Sequence, residues 1–245
     1  MRAFLSSIVL VFIGSHIVAQ TTVVSVEQRL KEACMRQDQA GISKAAVELA
    51  GMAAYGADKL EYALNLLQSV EQNGILITGG AGDTYPLITL QQVRAIRPDV
   101  IVVQTAWLDD TAYAVWIQQA YHVHGAPVEM IKQWSATYPV YVSLAAPTMI
   151  LQALEEDLYC TGLAFKVSSV PIANVKVLHR QWWKNCAKNA LTSGLPMNAN
   201  YLMPLGLLAG YMVETGKKNE LKEIKKVYAE IAKSVGEKEQ IPGVK

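Results

Sequence analysis

The sequence has no excess of charge of either sign, because 22 Lys and Arg residues stand against 21 Asp and Glu residues. Nucleic-acid-binding chains usually carry a clear basic excess, so the composition argues against a nucleic-acid partner. Nine prolines and 16 glycines are ordinary numbers, which excludes collagen-like and low-complexity classes. Apolar residues, in contrast, make up 51% of the chain. That share is enough to form packed cores and excludes a disordered chain.

Cysteine is scarce, with three residues at positions 34, 160 and 186. A disulfide scaffold in an exported protein would have a dense, even set. We therefore expect three buried apolar side chains, with one bridge and one leftover thiol as the alternative. Metal-ligand spacing is also lacking, since His122 and His124 have no third ligand near them. The sequence predicts a surface loop there, no metal site and no cofactor.

Apolar runs long enough to span a bilayer, about 20 residues, are absent. The strongest run is shorter, covers residues 3–14, follows Arg2 and leads to Ala19. This layout is typical of a secretory signal peptide, so we predict one over residues 1–19, with a retained membrane anchor as the alternative. The mature chain is then expected in the periplasm or cell envelope, without a transmembrane segment.

The hydrophobic pattern predicts helices, then an α/β unit, then helices. Short apolar runs at 75–78, 100–103, 140–144 and 163–167 predict four strands, because buried parallel strands lack polar alternation. We expect an α/β fold with a small, mostly parallel sheet, helices on both of its faces, and flanking N- and C-terminal helical hairpins. The predicted regions are a signal peptide (1–19), a helical hairpin region (20–72), an α/β domain (73–175), a C-terminal helical region (176–236) and a frayed tail (237–245).

Residues 75–87 read ILITGGAGDTYPL. Related pieces follow as LQQV at 90–93, IRPDVIVV at 96–103, PVYV at 139–142, LEEDL at 154–158 and GLAFKV at 162–167. In this order they resemble the soluble C-terminal part of bacterial multi-pass, protein O-mannosyltransferase-like membrane proteins, a domain of unknown function. The helices around 200–232 look like the tetratricopeptide-like tail of that family.

The resemblance implies an exported α/β and helical module without an assigned activity. Where the family's turn has Asn-Gly-Asp-Asn, residues 79–82 are Gly-Gly-Ala-Gly, whereas Asp83 and Thr84 are kept. The family's membrane part, which would bind a lipid-linked sugar, has no counterpart in the sequence. Sugar transfer is therefore not implied.

Polar residues follow the predicted strands at the end where ligands of doubly wound sheets bind. Glycines in the turn at 79–82 would let backbone N–H groups approach a phosphate or carboxylate. The alternative is purely structural, with Asp83 as the N-cap of one helix and Asp109 or Asp110 as the cap of another. The candidate ligand-binding residues are Gly80, Gly82, Asp83, Thr84, Gln104, Asp109, Asp110 and Ser143, with Thr148 at the same rim.

No Gly-x-Ser-x-Gly elbow and no His-Glu-x-x-His motif occurs, so no nucleophile with its base can be named. We therefore expect a non-catalytic binding or accessory module, with an envelope protein or a glycan as partner and an aromatic groove between helices and sheet. One alternative is an enzyme that acts on a glycan or phosphorylated group through Asp83, Asp109 and Asp110. Another is a structural subunit of an envelope assembly. The tryptophans are expected mostly in the core, although some could form a carbohydrate platform.

Overall fold

The computed structural model describes residues 22–186 and 196–244, so the predicted signal peptide lies outside the described residues. A first helix, α1, occupies residues 22–35. The other α-helices are α2 (Gln39–Gly51), α3 (Ala57–Leu67), α4 (Ala81–Arg94), α5 (Thr111–Tyr121), α6 (Pro127–Ser135), α7 (Thr148–Ala153), α8 (Asn174–Val177), α9 (Leu202–Glu214) and α10 (Lys218–Val235). None of these helices is long and apolar enough to cross a membrane.

Five strands form one mixed sheet in the order β2-β1-β3-β5-β4. The strands are β1 (Ile75–Thr78), β2 (Ile101–Gln104), β3 (Val140–Ser143), β4 (Leu158–Cys160) and β5 (Ala164–Val167). β1 pairs in parallel with β2 and with β3, whereas β5 is antiparallel to both β3 and β4. The α/β class is confirmed, and the sheet has two parallel and two antiparallel pairings.

β4 is the strand that the sequence pattern does not predict, because a helix was expected to run to Leu158. α7 ends at Ala153, a 3-10 turn covers Glu155–Asp157, and Leu158 begins β4. Three residues are too few to show a strand period. β4 lies at the sheet edge, and the predicted strand at 163–167 is its hairpin partner, inserted antiparallel beside β3. Gly162 makes the turn at φ +158°, where an added Cβ would lie 2.3 Å from Ser69 Oγ.

Successive residues of β1 and β3 point to opposite faces of the sheet and belong to two separate hydrophobic cores. Ile75, Ile77, Val140 and Val142 belong to the first core, which α1, α2, α5, α6 and α7 cover. Leu76 and Tyr141 belong to the second core, which α3, α9 and α10 cover. α4 contributes to both, with Ile88 in the first core and Leu87 in the second. Helices therefore lie on both faces of the sheet, as predicted.

The N-terminal helical pair consists of α1 and α2, which a three-residue turn joins. Asp38 caps α2 through a hydrogen bond from the Gly41 N–H, and Arg29 of α1 forms an ion pair with Glu48 of α2 at 2.6 Å. The pattern instead predicts the pair at 42–53 and 60–70. In the structure α3 lies on the opposite sheet face from α2, because its apolar side chains, including Leu66, enter the second core.

The C-terminal region contains a hairpin of α9 and α10, joined where Gly216 adopts φ +68°. The sequence pattern predicts one helix over residues 176–192. In the structure α8 continues into a π-helix over Leu178–Trp183, and positions 187–192 of the predicted helix lie outside the described residues. The sequence pattern predicts Asn198 or Asn200 as the cap of the next helix. In the structure a 3-10 helix over Pro196–Tyr201 precedes α9, so α9 begins after Tyr201. In the tail, Ile241 is buried in the second core.

Candidate functional site

The carboxyl ends of the three parallel strands meet at one rim, as the strand order requires. Thr78 of β1 pairs in register with Gln104 of β2, and Ser143 ends β3 on the other side. Thr78 and Ser143 are fully buried, and Gln104 is nearly so. The structure thus brings three of these strand-end polar residues together, inside the protein rather than on its surface.

Asp83 acts as a structural residue of the turn between β1 and α4. α4 begins at Ala81 after an N-cap at Gly80, three residues earlier than an Asp83 cap requires. The Asp83 carboxylate accepts hydrogen bonds from the backbone N–H groups of Gly79, at 3.2 Å, and Gly80, at 3.0 Å. It is 3% exposed. Both carboxylate oxygens are therefore occupied by the chain itself.

The neighbouring residues of the turn are equally engaged. The Thr84 hydroxyl donates to the Gly80 carbonyl at 2.6 Å and lies 2.7 Å from the Thr78 hydroxyl. A Cβ at Gly80 or Gly82 would meet nothing within 4 Å, whereas a Cβ at Gly79 would lie 2.0 Å from the Ala145 carbonyl oxygen. Gly79 is therefore the glycine that close packing requires. It allows the β1–α4 turn to lie against the segment after β3.

Asp110 is the N-cap of α5, since its carboxylate accepts from the Tyr113 N–H at 3.0 Å. This confirms the capping interpretation for one of the two predicted residues. Asp109 and Asp110 are both exposed, in contrast to Asp83. A site that uses all three carboxylates stays a prediction, because nothing in the geometry places them around a common cavity. Thr148, the last rim residue, is exposed at the first position of α7.

Ser143 and the helical layer close the rim. The Ser143 hydroxyl accepts from the Ala145 N–H at 3.1 Å, and it also acts as a hydrogen-bond partner that lowers the pKa of Tyr62. Burial outweighs this effect and raises the pKa of Tyr62 above its ordinary value. The Tyr62 hydroxyl accepts in turn from the Asn200 side chain at 2.9 Å. Polar groups at this rim thus stabilise the fold.

A groove of about 250 Å³ opens beside β2, the edge strand at one end of the sheet. α1 and α2 border it on one side, α4 on another, and α5 on a third. It is lined by Cys34, Gln37, Gln39, Ile42, Ile88, Gln91, Gln92, Ile101, Val102, Trp107, Tyr113, Trp116 and Tyr121. We call this feature the β2 groove. A groove between helices and sheet is the feature that the binding-module hypothesis predicts.

Aromatic side chains form one wall of the β2 groove. Trp116 meets Tyr113 at 5.5 Å between ring centroids and meets Tyr121 edge to face at 6.2 Å. Trp107, 1% exposed, packs against Tyr113 at 5.8 Å and belongs to the groove floor. Trp116 and Tyr121 are half-buried, so part of each ring faces the groove. Most tryptophans are core residues, as expected, and Trp116 is an exception.

The sequence analysis considers the groove aromatics, including Trp107 and Trp116, only within the general suggestion that some tryptophans and tyrosines form a carbohydrate platform. The glutamines of the lining were missed as site residues, because glutamines on or beside a helix look like ordinary solvent-facing positions in a sequence. The position of Gln91 and Gln92 beside the edge strand β2 would have indicated a site. This position becomes visible only when the strand order is known. His122 and His124 lie in the predicted loop, and no described residues form a group of three or more that could hold a metal.

Residues 59–133 match the family described as TMEM260-associated domain 2, a domain of unknown function. The match covers less than a third of the chain, from α3 into α6, and includes the α4, β2 and α5 walls of the β2 groove. It agrees with the resemblance of residues 75–103 at the level of a domain of unknown function. No curated protein matches the chain, and no solved structure does.

Proposed function

We propose that this chain is an exported accessory module of the bacterial cell envelope that binds a partner through the β2 groove. The resemblance to protein O-mannosyltransferase-like membrane proteins, with a tetratricopeptide-like tail, supports a place beside an envelope protein. The apolar run before Ala19 supports export. An envelope glycan or an envelope protein is the partner class.

The observation that carries this proposal is the half-buried aromatic wall beside the edge strand. Trp116 and Tyr121 keep part of their ring surface accessible although many other large apolar side chains are fully buried. Partly exposed aromatic surface in a concave site is typical of binding sites. By contrast, Asp83 at the strand-end rim is occupied by internal hydrogen bonds.

Export is tested with the full-length chain carrying a C-terminal tag in a Gram-negative host. The full chain is expected in the periplasmic or envelope fraction, and a variant lacking residues 2–19 is expected in the cytoplasm. Equal distribution of the two forms would contradict export.

Binding is tested by co-sedimentation of the purified protein with isolated envelope preparations. Trp116→Ala is expected to lower the bound fraction severalfold. Val115→Ala, on the same helix and exposed outside the groove lining, is the matched control and is expected to bind as the unchanged chain does. Unchanged binding by the Trp116→Ala protein would contradict the role of the groove.

A further inference from the structure

The β2 groove offers a chemically specific set of side chains, and its ligand class can be argued from them. Resting on the proposed function, we infer that the groove binds one uncharged, hydroxylated ring, such as a neutral hexose unit of an envelope glycan. Charge, hydrogen-bonding capacity and shape support this assignment independently.

The lining carries no formal charge. Its side chains are amides, aliphatic groups, aromatic rings and one thiol. Burial raises the pKa of Cys34 to about 12, and burial also raises the pKa values of Tyr113 and Tyr121, so all three stay protonated at neutral pH. An ionised ligand would lose hydration here without gaining an opposite charge, which is unfavourable. The groove therefore favours a neutral ligand.

Two glutamines of the groove lining have side chains that hydrogen bonds hold in place. Gln37 donates its amide N–H to the Cys34 carbonyl at 2.6 Å, and Gln91 donates to the Arg97 and Val100 carbonyls at 2.8 Å each. Their amide nitrogens are thus used, and no described residue donates to the Oε1 atom of either one. Such pre-positioned acceptors lose little conformational entropy when a ligand binds.

The groove also has hydrogen-bond donors that no described residue uses. The exposed Gln39 and Gln92 amides at the groove border have no partner among the described residues. The Trp107 indole N–H, on the groove floor, is buried and has no hydrogen-bond partner among the residues that the structure describes. A sugar hydroxyl both donates and accepts, so several hydroxyls around one ring match this mixture of neutral donors and acceptors.

The aromatic wall and the size of the groove fit a ring. Trp116 and Tyr121 meet at an interplanar angle of 88°, which forms a corner with two different ring surfaces. The apolar face of a sugar can pack on one of them while its hydroxyls point to the glutamines. The groove volume of about 250 Å³ is below the roughly 300–1,000 Å³ of drug-sized sites, which suits a single ring.

The test is an NMR titration of the full mature chain (residues 20–245) with methyl glycosides of neutral hexoses. Glucuronate and glucosamine serve as charged probes of the same size. Neutral glycosides are expected to shift the Trp116 indole signal, and the charged sugars are expected to bind about tenfold more weakly, or about 1.4 kcal/mol. Gln92→Ala and Trp116→Ala are expected to weaken neutral binding by about the same factor. Gln119→Ala, an exposed glutamine of α5 outside the lining, is the matched control.

Three results would overturn the inference. They are the absence of shifts with every neutral glycoside, equal binding of charged and neutral sugars, and unchanged binding by the Trp116→Ala protein. A short neutral peptide that shifts the groove signals while glycosides do not would replace the sugar with an extended peptide. If glycosides fail but envelope co-sedimentation still requires Trp116, the ligand class is wrong and the proposed function stands. If co-sedimentation is also independent of Trp116, both are wrong.

Discussion

Arg97 shows how one side chain holds several backbone segments together. Its guanidinium donates to the carbonyls of Leu67, Val70 and Glu71 at 2.7–2.9 Å and forms an ion pair with Asp99 at 2.8 Å. A lysine has three donors at one point and cannot span these acceptors. Arg97→Lys is therefore expected to lower the free energy of unfolding by about 2 kcal/mol in urea denaturation.

Arg94→Lys is the matched control for this change. Arg94 is exposed on the preceding helix, so the same substitution there is expected to change stability by less than about 0.5 kcal/mol. Equal effects at the two positions would show that the hydrogen bonds from the Arg97 guanidinium to the backbone carbonyls do not stabilise the fold.

The ion pair between Arg97 and Asp99 makes the stability of the fold depend on pH. The hydrogen bond and charge of Arg97 lower the pKa of Asp99 from 3.8 to about 2. Because the folded-state pKa is below the unfolded-state pKa, Asp99 stabilises the fold above about pH 4, and this contribution is lost as the pH falls toward 2. Thermal unfolding between pH 5 and pH 2 should show a shallower pH dependence for Asp99→Asn. An identical slope in the two proteins would contradict this assignment.

At the scale of elements, α5 depends on the cap at its start. Asp110→Ala removes the acceptor for the Tyr113 N–H and is expected to cost about 1 kcal/mol of stability. α5 carries Tyr113, Trp116 and Tyr121, so the same substitution is expected to weaken ligand binding in the β2 groove. Asp109→Ala, one residue earlier and also exposed, is expected to change the melting temperature little. Equal losses would mean that the cap is not the relevant interaction.

The beginnings of elements were predictable where one residue type fixes a local hydrogen bond. The sequence predicts a helix cap at Asp109 or Asp110 and a helix start at Pro127. Both place the starts of α5 and α6 correctly, because capping and a preset φ act within a few residues. β4 could not be predicted, since a strand of three residues shows no period of its own. The β2 groove was not predictable as a site because its walls come from residues up to 87 positions apart, Cys34 to Tyr121.

At the scale of the whole molecule, the C-terminal hairpin covers the second sheet face. Leu205 and Leu208 of α9 and Ile224 of α10 share the second core with Leu76 and Tyr141, and all five are fully buried. Removing residues 196–245 would expose this face, so the truncated chain is expected to lose cooperative unfolding in calorimetry and to aggregate. A chain that stops after Gly236 is the control and should keep a single transition at a lower temperature, because only Ile241 and its neighbours are lost from the core. A cooperative transition in the larger truncation would show that the sheet folds without α9 and α10.

The three cysteines are all unbridged and buried, so each side chain reports on the packing around it. Cys34 belongs to the first core, Cys186 to the second, and Cys160 to the edge strand β4. Alkylation of Cys160 and Cys186 therefore requires a local or global opening, and their modification rates report the opening of two different parts of the molecule. Cys34 lines the β2 groove, so its modification rate reports access to the groove. In an oxidising compartment, the same arrangement means that a chain which unfolds even briefly exposes thiols able to crosslink with one another.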